Sequence, residues 1–207
     1  MAIRRHLTSS RRRIAWCITV MAVLAAGCAS KEQVRDATHD VNAAFRAEYE
    51  TILATNGTRV FNVSRAEAYD AVRVAMARLG MIVEAQDPVL GFVNVYAAAP
   101  RPLNLEEWRQ AADADLPKLR EVARPHVGLA AGFIRFEPEG LQIVINATVL
   151  EGAAGSEISL TMRMREVAPP PSGFPRREYA PPTAVRIGLD KIWAELEREF
   201  RATYRKP

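Results

Sequence analysis

Apolar positions along the chain follow two periods, and the predicted elements follow from them. Over residues 31–55, Val34, Ala37, Val41, Phe45, Tyr49 and Ile52 recur every three or four places among charges, and no Gly or Pro interrupts. That spacing predicts one amphipathic helix, closed by Asn56-Gly57. Residues 59–63 alternate as a short strand. Ser64 and Glu67 have the spacing of a capping box, and the helix they open carries Ala68, Val72, Ala75, Met76 and Leu79 as a stripe, with Gly80 as its stop. Residues 81–85 and 92–97 predict two strands around the turn at 87–91. In the second of them Phe92, Asn94 and Tyr96 share one face, and Val93 and Val95 the other.

Residues 98–131 break the alternation. A Pro-containing linker leads to Asn104, which stands three places before Glu107 as an N-cap, and predicts a helix through Trp108 to about Leu116. Pro117 predicts a second short helix to Arg124. The stretch reads as an insertion longer than an ordinary connection. Alternation resumes at 133–136, 141–151 and 157–167. In the last of these Ile158, Leu160, Met162 and Met164 oppose Ser159, Thr161, Arg163 and Arg165, so one face of the sheet is wet. Six prolines mark an extended loop over 168–182. From Thr183 to about Tyr204 a helix carries the stripe Val185, Leu189, Ile192, Trp193, Leu196 and Phe200. The order β-α-β-β-insertion-β-β-β-α predicts an α+β domain over 58–205, an antiparallel sheet with helices on one face.

The first 27 residues change the picture of charge. They hold Arg4, Arg5, Arg11, Arg12 and Arg13 and no acid, followed by fourteen uncharged residues, 14–27. As a helix that run spans about 21 Å, short of the roughly 30 Å of a hydrocarbon core, so it fits a signal peptide. Removing those five arginines from the 28 basic residues leaves 23 against 24 acids, and the basis for a nucleic-acid partner disappears with them. The run Leu24-Ala25-Ala26-Gly27-Cys28 resembles the lipobox of bacterial lipoproteins. That resemblance implies a lipid on Cys28 as the new N-terminus and attachment to the membrane. Ala29 rather than Asp beside it implies the outer membrane, facing the periplasm. Residues 28–57 then either tether the domain to the bilayer or dock on it. The chain after cleavage carries no thiol beyond Cys28.

The run Phe61-x-Val63-Ser64-x-x-Glu67-Ala68-Tyr69-Asp70-Ala71-Val72, then Leu79-Gly80-Met81-x-Val83 and Asp87-x-x-x-Gly91-x-Val93, resembles the helix-grip modules of outer-membrane lipoproteins similar to the BamC subunit. The resemblance covers residues 58–97 by motif and 140–205 by element order. It implies a long C-terminal helix across a curved antiparallel sheet, a scaffold or accessory role in an envelope complex, and no catalytic residues.

Candidate chemistry is sparse. His39 and His126 lie far apart, no paired-Cys or HExxH spacing occurs, and no cofactor or metal is expected. No G-x-S-x-G elbow occurs, and the carboxylate pairs Glu106-Glu107 and Asp113/Asp115 read as solvated helix faces. No enzyme is expected. Trp108 either covers the sheet or anchors a protein partner, together with Arg176 and Arg177. Phe92, Tyr96, Ile145, Met162 and Trp193 either fill the core or line a groove for a hydrophobic ligand between the long helix and the sheet.

Overall fold

The computed structural model describes residues 29–170, 172–173 and 175–204; the signal segment and Cys28 lie outside the described residues. Helix α1, Lys31–Asn56, leads into β1, Thr58–Phe61. Then follow α2, Arg65–Arg78; β2, Ile82–Asp87; β3, Phe92–Ala98; and α3, Leu105–Val127. A 3₁₀ turn at Gly128–Phe133 precedes β4, Leu141–Gly152, and β5, Gly155–Glu166; α4, Pro182–Tyr204, ends the described chain.

The five strands form one antiparallel sheet in the order β1-β5-β4-β3-β2. The architecture is the α+β one expected, with helices covering one face. Register makes that face continuous: Val95 stands opposite Ile145, and Ile145 opposite Met162. Helix α2 lies on β3, β4 and β5, while α4 lies on β5 and touches each of the other three helices. Val185, Leu189, Ile192, Trp193 and Leu196 on α4 are all buried, which makes this helix the centre of the core. Its approach to the sheet is set by Gly188, where a Cβ would stand 2.5 Å from Met162 Sδ.

The local signals act as expected at both internal helix starts. Ser64 and Asn104 each accept from the amide three residues on, and Glu67 and Glu107 reach back to the cap amides. The turn at Gly91 needs a glycine, because φ is +70° and a Cβ there would meet Val149 O at 2.2 Å.

Two expectations are corrected, and one open alternative is decided. Residues 133–136 form no strand, so two strands and not three follow the insertion. Every position a further strand could take beside them is occupied: β3 and β5 flank β4, and β5 is bordered by β1 and then by Glu178, whose carbonyl accepts from Met164 N at 3.2 Å. The insertion carries one continuous helix rather than two, running through Pro117 and Pro125. Leu116, Leu119 and Ala123 are buried on either side of Pro117, and that burial outweighs the lost backbone bond. Of the two readings of α1, the structure takes the docked one: Phe45 and Tyr49 are in the core, and Tyr49 packs edge-on against Tyr179 of the Pro-rich loop at 5.4 Å.

Candidate functional site

An apolar groove of 350 Å³ lies between α1 and α3, within the size range of small-molecule sites. One wall is the apolar stripe of the first half of α1: Val34, Ala37, Val41 and Phe45. The other is Leu119, Ala123 and Val127 of α3. The helices meet through small residues, since Ala37, Ala123 and Ala131 pack together with Val41, Val127 and Ile134 against them. Beyond α3 the chain turns back, and Ala130, Ile134 and Phe136 close the floor, while Arg177 and Tyr179 of the Pro-rich loop close the far end. Ala29, just before α1, also lines it.

Side chains of α3 fix the returning segment. Trp108 Nε1 donates to Phe136 O at 3.2 Å, and Arg120 donates to Ile134 O at 3.4 Å. Phe136 bridges Trp108 and Phe45, with ring centroids 6.0 and 6.1 Å away. Arg135 also lines the groove, and three other polar lining residues are engaged elsewhere. Thr38 donates to Val34 O in its own helix, Asn42 donates to Arg176 O at 2.8 Å, and Arg177 pairs with Glu166 at 2.6 Å. The groove therefore offers an apolar chain or side chain a mostly apolar lining, with no carboxylate, histidine or cysteine among the lining residues.

Two carboxylates that read as solvated faces are structural. Asp115 accepts both the amide and the hydroxyl of Thr183 at 2.8 Å each, capping the first turn of α4 from a neighbouring helix. Glu107 accepts from Lys191 of α4 at 2.7 Å. That hydrogen bond, with the Asn104 amide, holds its carboxyl below the usual carboxylate range. Together they clamp α3 to α4. The capping spacing at Asn104 marked Glu107; nothing in the sequence marked Asp115, whose partner is 68 residues away.

The residues expected to act do not come together. Trp108 is fully buried under α3, so it covers the core and presents nothing to a partner. Arg176 is exposed, and Arg177 is committed to Glu166. The helix–sheet groove is corrected on two counts. Ile145, Met162 and Trp193 are buried to within 1% and fill the layer between α4 and the sheet. Phe92 and Tyr96 point to the opposite, open face, because their neighbours Val93 and Val95 face the helices. There Arg165 lies over the Tyr96 ring at 5.2 Å and pairs with Glu84 at 2.9 Å. Trp193 instead donates to Asn56 O at 2.7 Å and so ties the end of α1 to α4.

Among the described residues no cluster of three or more His, Cys, Asp or Glu could hold a metal, and no helix is long and apolar enough to cross a membrane. His126 contacts Asp40 at 2.8 Å, and with the Lys118–Glu48 ion pair it links α3 to α1. No family model, curated protein or solved structure matches the chain.

Proposed function

We propose that this chain is a non-enzymatic lipoprotein of the bacterial outer membrane, facing the periplasm, and an accessory or scaffold component of a cell-envelope complex, as the BamC-like motif run implies. One observation carries the reading: the folded domain starts two residues after the lipobox cysteine. Ser30 is the N-cap of α1, its side chain accepts from the Gln33 amide, and α1 is docked on α3 and α4. A lipid on Cys28 would thus fasten a folded body to the bilayer with almost no linker, a geometry suited to presenting one fixed face to envelope partners. Two or more acyl chains make such an anchor stable where one does not. Asp115 and Glu107 of the insertion helix are engaged by Thr183 and Lys191, in keeping with a binding role.

The test is cross-linked co-purification of the full-length protein from detergent-solubilised membranes, with Cys28→Ser as control. A stoichiometric envelope partner, lost or reduced in the control, supports the scaffold. Recovery of the protein alone counts against a stable complex.

The groove favours a second reading, in which the protein holds a single-chain hydrophobic ligand between α1 and α3. Native mass spectrometry of the purified protein tests it. A bound lipid that disappears on Ala123→Phe supports this reading, and an empty groove removes it.

A further inference from the structure

Apolar side chains exposed singly are ordinary on a folded surface, whereas those grouped on one feature mark contacts. Leu129 and Phe133, both in the Gly128–Phe133 turn, are 96% and 85% exposed. The turn is not loose, because its Ala131 is buried against Ala37 and Ala123, and Ile134 N bonds back to Ala131 O at 3.2 Å. The two side chains are therefore held outward by a fixed backbone.

Their place in the molecule says what covers them. Ala29 lines the same groove as Ala130 and Ile134, so the chain enters the fold beside this turn. Ala37, which the turn packs on, is seven residues along α1 from Ser30, a rise of about 10 Å. With no linker, a bilayer holding Cys28 lies within reach of both side chains. A second exposed apolar pair, Val89 and Leu90 in the β2–β3 turn, is at the other end of the sheet, where Val149 N bonds Gly91 O. Val149 is eight residues from the start of β4, about 26 Å away at strand rise.

We infer that the Gly128–Phe133 turn is a membrane-docking tip, inserting Leu129 and Phe133 among the lipids of the leaflet that holds the anchor. The inference rests on the lipid-anchor reading of Cys28. Anchor and tip give two points of attachment, which set the orientation of the domain and turn the Ala29 end of the groove toward the bilayer.

The test uses the full-length, processed protein in vesicles of phosphatidylethanolamine and phosphatidylglycerol. Phe133→Cys and, separately, Val89→Cys are labelled with an environment-sensitive thiol dye. Both positions are surface sites, and under the anchor reading no other free thiol remains. The dye at 133 is expected to emit at shorter wavelength and to be quenched by spin-labelled lipid, while the dye at 89 behaves as in water. Equal, water-like behaviour at both positions overturns the tip. Shielding of 133 from aqueous iodide without lipid quenching also overturns it and points to a protein contact. The mass of the N-terminal peptide separates the two premises: an unmodified Cys28 sinks the anchor and the tip together, whereas acylated Cys28 with a water-exposed 133 sinks the tip alone.

Discussion

Trp108→Ala tests whether α3 belongs to the core or decorates it. The side chain is fully buried, and its ring N–H is paired with Phe136 O. A tryptophan buried to this degree removes roughly 200 Å² from water, which at about 25 cal/mol per Å² amounts to roughly 5 kcal/mol. Retained Ala surface and a compact unfolded chain reduce that figure, while the lost hydrogen bond adds about 1 kcal/mol. The expected loss is about 4 kcal/mol, within the roughly 3–5 kcal/mol typical of large core truncations. Against a total of about 5–15 kcal/mol, that lowers Tm by roughly 8–16 °C at this chain length. The assay is thermal unfolding followed by far-ultraviolet circular dichroism on the purified protein in detergent, with urea midpoints beside it. Trp108→Phe keeps an aromatic ring but loses the donor and part of the buried volume, so it costs about 1–2 kcal/mol. A Trp108→Ala protein within about 1 kcal/mol of its parent, but unable to hold its envelope partner, would refute the packing argument and return Trp108 to the surface.

Two further outcomes follow from named contacts. Gly188→Val drives a branched side chain into Met162 and is expected to lower the urea midpoint by the equivalent of about 2–3 kcal/mol; an unchanged midpoint means the layer between α4 and the sheet has room for a ligand after all. Glu107 has a folded pKa below its ordinary value, with the Lys191 bond as the main cause. Its contribution is therefore present above the unfolded value of about 4.3 and is lost as pH falls through the lower folded value. The stability gap between the parent and Glu107→Gln is thus expected to narrow from pH 5 to pH 3 in urea titrations, and a gap independent of pH contradicts the Lys191–Glu107 clamp.

What the sequence made legible was local. The stripe from Val185 to Leu196 and the capping pairs at Ser64 and Asn104 each announce an element within a few residues, and all three form. What stayed hidden depends on distant partners. Residues 133–136 alternate like a strand, but the places beside β4 and β5 are taken, and Trp108 and Arg120 bind the carbonyls of Phe136 and Ile134 instead. Pro117 reads as a helix start, but the burial of Leu116 and Leu119 carries the helix through it. The stripe on α1 predicted the helix and said nothing of its neighbour. Its first half met α3, and the small residues Ala37 and Ala123 left an apolar groove whose two walls are some eighty residues apart in the chain. Phe92 and Tyr96 were placed on one face correctly. Only the register with β4 shows that this face is turned away from the helices.

The central claim, a folded body fastened to a bilayer at Cys28, is tested most directly by the mass of the N-terminal peptide of the protein recovered from the membrane fraction. The account predicts a chain beginning at Cys28, with a diacylglyceryl group on its sulfur, and loss of the protein's membrane lipid modification in Cys28→Ser. A chain beginning elsewhere, or an unmodified Cys28 thiol, contradicts it.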